Sequence, residues 1–335
     1  MEYKKRAEKV REILRESGCR SLLTRDPSNI FYLTGILETE GFLLLGEKRL
    51  SLFVPGMFVQ ESADSLRSDS TDVYGIADFR KFISSCRKVA FISTELSYSF
   101  YETLRKDTGD LLHPLPDIIL QVRMLKDPGE IRLIKKALAV NRKVFAEIGK
   151  NLCEGKRETE IAGELHLLIR KLGGRKDAFP PIVASGKNSA YPHHKSGSRR
   201  IRRNQPVIID AGTDIGGYKS DLTRTFFCGK PRGKFVDIFK LLSETLERTV
   251  EFIRPGKTGS EIHSFAAGIL GKKNLDRYFI HSIGHGVGID VHEKPTLGPN
   301  SRDVIEKGCV VTVEPGVYIP GLGGIRLEEM LIIDR

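Results

Sequence analysis

The sequence predicts an α+β fold in two parts, and three observations carry that prediction. Short apolar runs punctuated by Asp, Asn and Gly fill roughly the first 110 residues. The pattern breaks across His113-Pro114-Leu115-Pro116-Asp117, where each proline restricts its predecessor and removes a donor. Two long helical patterns then precede a strand-rich region. Residues 1–117 therefore read as a smaller α/β domain, and residues 118–335 as a larger domain with sheet and helices segregated.

From Tyr3 to Ser17, Val10, Ile13 and Leu14 recur at helical spacing before Gly18, a suitable C-terminal cap. The runs Ser21 to Thr24, Ile30 to Leu33, Phe42 to Leu45 and Leu50 to Val54 read as strands. Phe79 to Ser84 and Ser97 to Lys106 read as helices around a strand at Lys88 to Ile92. Beyond the prolines, Asp127-Pro128-Gly129-Glu130 opens a helix to about Gly149, and Glu158 to Lys171 supplies another, ending at Gly173-Gly174. From Ile182 onward strands dominate, interrupted by helices at Lys234 to Ile253 and Ser260 to Leu270, the latter with Ser260 as expected N-cap. No internal repeat is visible, although two carboxylate-bearing hairpins would suit a pseudo-twofold arrangement.

Composition narrows the function classes. A chain of 335 residues that is 40% hydrophobic and 29% charged is neither disordered nor of low complexity. Its start, Met1-Glu2-Tyr3-Lys4-Lys5-Arg6, leads into a charged amphipathic pattern, and no apolar run approaches bilayer length; a cytoplasmic location without a membrane partner is expected. Cys19, Cys86, Cys153, Cys228 and Cys309 lack the close pairings of zinc ribbons and disulfide scaffolds, and read as free buried thiols. The net charge of +11 is densest in Arg199-Arg200-Ile201-Arg202-Arg203, which lacks interleaved aromatics and precedes a strand. It reads as a solvated basic loop rather than a nucleic-acid site.

Chemistry enters with Val207-Ile208-Ile209-Asp210-Ala211-Gly212 and the segment ending Asp221-Leu222-Thr223-Arg224-Thr225-Phe226, two strands about a Gly216-Gly217 turn. If those glycines are the central turn residues, Asp210 lies opposite Thr223 and Asp221 points to the same face. Two carboxylates on one half-buried face repel each other unless protons or cations intervene. Downstream, His285 sits in Gly284-His285-Gly286-Val287-Gly288, Glu314 ends the apolar run Val310 to Val313, and Glu328 follows Gly324-Ile325-Arg326-Leu327. Four carboxylates, two dications and a neutral imidazole sum to zero charge. Oxygen-rich ligation with one histidine suits Mn²⁺, Co²⁺, Fe²⁺ or Zn²⁺. Glu328 and Glu329 are adjacent and face opposite ways on a strand, so spacing alone leaves the choice between them open.

Asp210-Ala211-Gly212, Tyr218 to Thr225, Gly284 to Gly288, Val313-Glu314-Pro315-Gly316 and Gly324 to Glu328 together give the chain a resemblance to one family. It resembles the prolidase and aminopeptidase P branch, the Xaa-Pro peptidases, of the creatinase and methionine aminopeptidase superfamily of pita-bread metallopeptidases. The resemblance runs over essentially the whole chain. It implies a C-terminal pita-bread catalytic domain behind a creatinase-type N-terminal domain, and metal ligands at Asp210, Asp221, His285, Glu314 and Glu328. The cofactor implied is two divalent ions, Mn or Co first and Zn or Fe as alternatives. It also brings His193, His281 and His292 into the cleft as catalytic residues beside Glu314, with His193, His292 and Arg326 meeting the substrate. His113, His166 and His263 lie outside every motif.

The reaction implied is hydrolysis of the bond before proline by a hydroxide bridging metals roughly 3.5–4 Å apart, with Glu314 relaying the proton to the leaving nitrogen. His281 and His292 would hold the carbonyl oxygen, and His193 the proline side. Some dipeptide-specialised relatives carry an arginine four positions after the histidine matching His292; here Thr296 stands there, which weakens a strict dipeptidase reading. Relatives of this layout use the first domain to cap a neighbouring subunit's cleft, implying a homodimer that acts on proline-containing dipeptides or short peptides. Because only seven residues follow Glu328, the family's closing strand is expected to be absent or replaced. A methionine-aminopeptidase-like exopeptidase and a non-catalytic pita-bread binding protein stand as the alternatives, and the complete ligand set argues against creatinase.

Overall fold

The computed structural model describes residues 2–86 and 88–334. Its contacts divide into two compact units, Met1–Arg123 and Met124–Arg335. The helix Ile118–Arg123 packs against the helices Tyr3–Glu16 and Pro27–Thr34, so this division falls beyond the proline break.

In the first unit a six-stranded mixed sheet runs in the order Thr71–Gly75, Leu50–Val54, Phe42–Leu45, Ser21–Thr24, Val89–Ile92, Leu112–Leu115. Every residue of Phe42–Leu45 and Val89–Ile92 is buried, as in a sheet covered on both faces. On one face Phe42 stacks on Phe79 and Phe100 at 4.3 and 5.2 Å, which draws the helices Phe79–Ser84 and Tyr98–Thr108 onto the strands.

Ile30 to Leu33 is not a strand but the core of the helix Pro27–Thr34. Asp26 caps it by accepting from Asn29 N, proline occupies its first turn, and Gly35 ends it at φ 84°. A short, wholly buried apolar run has no period of its own; these boundary residues decided its conformation.

The second unit opens with the helices Pro128–Asn151 and Glu158–Lys171, the first begun by a capping box between Asp127 and Glu130. The strands Ile182–Ser185, Pro206–Ala211 and Leu222–Phe227 form one antiparallel sheet, and Glu293–Thr296, His285–Gly286, Val310–Val313 and Glu329–Ile332 form another. A second helix pair, Lys234–Phe252 and Gly259–Gly271, packs Ile238, Leu242, Ile262 and Ala266 into one core with Val311 and Val313. The N-cap of Gly259–Gly271 is Thr258, in a capping box with Glu261, rather than Ser260. Ser260 lies inside the first turn, where the Thr258 hydroxyl had already taken the capping position.

Two other expectations change. A strand does follow the last proposed ligand: Glu329–Ile332 pairs antiparallel with Val310–Val313. The seven residues left after Glu328 suffice for one four-residue strand. All five cysteines are free, but only Cys19 and Cys309 are buried, and Cys153 is exposed. Of the basic loop, Ile201 is buried while Arg200, Arg202 and Arg203 face solvent. Among the described residues no helix is long and apolar enough to cross a membrane.

Candidate active site and metal centre

Strand register builds the site. Pro206–Ala211 and Leu222–Phe227 pair with Asp210 opposite Thr223, and ahead of them Ile215 pairs with Tyr218 across Gly216 and Gly217. Both glycines hold positive φ, 59° and 86°, as a two-residue hairpin turn requires. Opposite residues share a face, so the Thr223 hydroxyl and the Asp210 carboxylate meet the same space. Asp221, just ahead of the second strand, is buried.

His285 reaches that space because its neighbours are small. A Cβ on Gly284 would sit 2.0 Å from the Thr312 carbonyl oxygen, and one on Gly286 would sit 2.1 Å from that of Lys294. Only glycine lets the strand approach so closely. The His285 backbone amide donates to Thr312 Oγ1 at 3.1 Å. Glu314 leaves the end of Val310–Val313 with its amide on the Ile283 carbonyl at 2.8 Å. Glu328 lies between Gly323–Arg326 and Glu329–Ile332, and its Oε2 accepts from Thr223 Oγ1 at 2.7 Å. Glu329 turns the other way, to Arg224 and Arg142.

Asp221, His285 and Glu328 each offer one ligand atom within 4.8 Å of the others. His285 Nε2 lies 3.8 Å from Asp221 Oδ2 and 3.5 Å from Glu314 Oε1. Asp210 joins through Arg326, whose Nη2 donates to Asp210 Oδ2 at 2.7 Å. All five residues singled out in the sequence thus converge on one region of the second unit.

The electrostatics of this cluster are those of a site built for cations. Burial first, then the charges of Glu328, Asp210 and Glu314, pushes the Asp221 carboxyl far above its ordinary range. Burial, then Glu314 and Asp210, does the same to Glu328. Glu314 is raised to about 8, chiefly by burial, with Asp210 adding to the rise against the opposing pull of Arg326. Burial first, then His292, lowers His285 to about 4, which leaves a neutral imidazole able to ligate. Asp210 Oδ1 and Asp221 Oδ1 are buried atoms without a hydrogen-bond partner. Carboxylate oxygens left this way are strongly unfavourable without a counter-ion, so the donor set fits divalent metal. Arg326 brings one positive charge that the sequence-level charge balance had omitted. Four carboxylates and one guanidinium leave minus three; two dications would give plus one, favouring one anionic ligand besides the protein.

Around the cluster the hydrogen bonds fix individual protons. Arg326 Nη1 donates to the Tyr318 hydroxyl at 2.8 Å, and Tyr318 Oη lies 2.9 Å from His281 Nε2. Guanidinium has no acceptor, so the Tyr318 oxygen accepts from it and the Tyr318 proton goes to His281. His281 Nδ1–H then donates to the Ser282 carbonyl at 2.7 Å. Burial, then the Arg326 charge, lowers His281 to about 4, consistent with a neutral ring. Both ring nitrogens of His281 are therefore engaged by protein.

Arg326 also donates Nε to Thr223 Oγ1 at 3.1 Å and Nη1 to the Pro192 carbonyl at 3.2 Å. It is buried among these partners and bears on the cluster through Asp210. His292 is exposed, its ring centroid 4.1 Å from that of His285. His193 is exposed as well. His166 pairs with Asp177, and His263 stacks on Phe279 behind His281. Tyr318 and Thr223 were not anticipated. The register that put Thr223 opposite Asp210 could have found the threonine; nothing local marks the tyrosine.

Residues 132–335 match Metallopeptidase family M24, and residues 6–125 match the Creatinase/Prolidase N-terminal domain. The chain is 33% identical to the Xaa-Pro dipeptidase of Pyrococcus furiosus, over 98% of this chain and 95% of that one. A solved Xaa-Pro dipeptidase from Bacillus anthracis superposes with a TM-score of 0.94 at 31% identity, over 99% of this chain and 95% of that one. An X-Pro aminopeptidase from Thermotoga maritima superposes at 0.87 with 28% identity, over 98% and 95%. With a cluster of buried, donor-poor carboxylates at its centre, the chain belongs to metallopeptidase family M24, its pita-bread catalytic domain following a creatinase-type N-terminal domain.

Proposed function

We propose that this chain is a metal-dependent Xaa-Pro peptidase, hydrolysing the bond that precedes proline. The observation that carries the reading is the convergence of Asp221, His285 and Glu328, with Glu314 and Asp210 beside them, on a pocket where Asp210 Oδ1 and Asp221 Oδ1 are buried without a hydrogen-bond partner. Those five residues would hold two divalent ions, with manganese or cobalt the preferred pair. Bound there, the ions supply a Lewis acid for the scissile carbonyl and a water made acidic near neutral pH.

The chain's own residues do the rest. Glu314, 3.5 Å from His285 at the edge of the cluster, would accept a proton from the water and deliver it to the departing proline nitrogen. His292, exposed and beside His285, is the imidazole free to meet the carbonyl oxygen; His281 is committed to Tyr318 and Ser282 and acts by holding the wall of the site. His193 stands at the exposed edge, where the proline side of a substrate would lie. Arg326 orients Asp210 rather than the substrate. A homodimer in which the first unit limits substrate length completes the reading, and size-exclusion chromatography with light scattering checks it.

Metal-reconstituted protein given Met-Pro, a Xaa-Pro tripeptide and Met-Ala side by side cleaves the proline substrates. Cleavage of Met-Ala with both proline substrates untouched would move the chain to the methionine-aminopeptidase reading. In the same assay His292→Ala lowers turnover and keeps its metal; loss of the metal instead would put His292 among the ligands.

A further inference from the structure

Outside the carboxylate cluster, the acidic side chain of Glu158 is wholly buried and does no work in the mechanism above. Glu158 is the first residue of the helix Glu158–Lys171, and its side chain is 0% exposed. Its Oε1 accepts from Ser185 N and Ser185 Oγ, both at 2.8 Å, and from Asn188 Nδ2 at 3.0 Å. Its Oε2 accepts from His194 Nε2 at 2.8 Å and from Gly197 N at 3.1 Å. Five donors meet one carboxylate, and the helix N-terminus adds a favourable field. Burial pulls the other way, yet the bonds from His194, Ser185 and Gly197 hold Glu158 below its ordinary carboxylate range.

The donors are not scattered. Ser185 ends the strand Ile182–Ser185, and Gly197 lies on the far side of the loop that follows it. Glu158 therefore closes residues 186–196 into a clasped loop, joined by backbone bonds from Glu158 N to the Arg199 carbonyl and from Thr159 N to that of Gly197. At its other end the same loop touches the site: Pro192 gives its carbonyl to Arg326 Nη1, and His193 comes next in the chain. Ser189 Oγ accepts from Gly324 N at 2.8 Å, tying the loop to the strand that carries Arg326.

His194 and His193 are consecutive, so one imidazole is pulled back into the clasp while the other is left at the exposed edge. With Nε2–H given to Glu158, His194 also fixes its own tautomer.

We propose that Glu158 is a positioning residue: its carboxylate clasps both ends of the loop and thereby holds His193 in place over the substrate cleft. The proposal rests on the reading of His193 as a cleft residue. Glu158 acts through the loop rather than by contact with the carboxylate cluster. A carboxylate is required, because every partner is a donor; glutamine would aim its own N–H groups at some of them.

The test is a double-mutant cycle on metal-loaded protein, reading kcat and KM for Met-Pro, metal content and the thermal transition for wild type, Glu158→Gln, His193→Ala and the double variant. Misplacing His193 should lower kcat/KM roughly 10- to 100-fold in Glu158→Gln with metal content unchanged. In the His193→Ala background the same substitution should change kcat/KM by less than about twofold, because the group it positions is gone. Equal losses from Glu158→Gln in both backgrounds would overturn the clasp and leave the cleft reading standing. Wild-type kcat/KM in His193→Ala alone would overturn the cleft role of His193 and the clasp with it. If Glu158→Gln fails to fold, His194→Leu carries the same cycle, since leucine has no side-chain donor and the carboxylate stays buried and bonded to the other four; an additive loss there likewise overturns the proposal.

Discussion

Among the buried acidic groups of the second unit, the carboxylate cluster and Glu158 are opposites. Glu158 has five protein donors and a carboxyl held below its ordinary range. Asp221 has a buried oxygen with no donor, Asp210 another, and Asp221, Glu314 and Glu328 are all pushed upward. Burial is common to both centres, so burial alone does not set the chemistry. Donor supply does: a carboxylate surrounded by N–H and O–H groups is finished by the protein, and one denied them is reserved for a cation.

The largest effect should come from removing one starved charge. Asp221→Asn lowers both metal occupancy and kcat/KM, and the activity loss exceeds the roughly 10- to 100-fold that outer-sphere changes give. Without metal the same variant unfolds at a higher temperature than metal-free wild type, because the native state no longer holds a buried carboxyl that must either take up a proton or repel its neighbours. Calorimetry with and without metal reads both signs. A lower transition temperature for the metal-free variant would mean that protein donors already satisfy Asp221, and the contrast between the two centres would fail.

The ligand side of this contrast was legible in the sequence, whereas nothing there marked Glu158. The Gly216-Gly217 turn fixed a register that put Asp210 opposite Thr223, and strand alternation follows from that alone. Glycines around His285 announced a close approach, and an acid at the end of an apolar strand announced a partner. What escaped was whatever depends on side chains from distant segments. Arg326 was visible as a neighbour of Glu328, but its bonds to Asp210, Thr223, Tyr318 and Pro192 cross four separate stretches of chain. Tyr318 reads as an ordinary strand aromatic until His281 is set 2.9 Å from it. Ile30 to Leu33 failed for the opposite reason: the local cap at Asp26 outweighed an apolar run that suits helix and strand alike.

The pH dependence of the metal-free protein separates the two centres next. Glu314 rises from 4.5 to about 8 on folding, so the stability it contributes is fully present below about pH 4.5 and is lost as pH climbs through 8. His281 and His285 fall from 6.5 to about 4, so their contribution is lost as pH drops through 4 and is complete above 6.5. Below pH 6.5 the two effects oppose each other. Between pH 6.5 and 8 the raised carboxylates set the direction, and the metal-free protein should lose stability as Glu314 gives up its proton. Glu158, held below its ordinary range, stays ionised throughout that window and contributes no slope. Denaturant midpoints at pH 6.5, 7.25 and 8 measure this, and saturating Mn²⁺ should flatten the curve. A flat metal-free curve would show that the cluster is already neutralised by the protein.

The finest discrimination deletes one hydroxyl at each centre. Thr223 Oγ1 is the one side-chain donor to the Glu328 carboxylate among the described residues, and it also receives Arg326 Nε. Thr223→Val preserves shape and removes both bonds, freeing Glu328 to rotate and loosening the arginine that orients Asp210. Metal affinity should fall about tenfold by titration calorimetry, the lower end of what outer-sphere partners give. Ser185→Ala removes one of five donors to Glu158, whose Oε1 keeps the Ser185 amide and Asn188. It should cost about 1 kcal/mol of stability and leave metal affinity unchanged, since the remaining bonds still hold the carboxylate. The two hydroxyls make bonds of nearly equal length, 2.7 and 2.8 Å, so bond geometry cannot produce the difference. If both variants lost metal affinity equally, or neither did, donor supply would not be what divides a structural carboxylate from a ligating one in this fold.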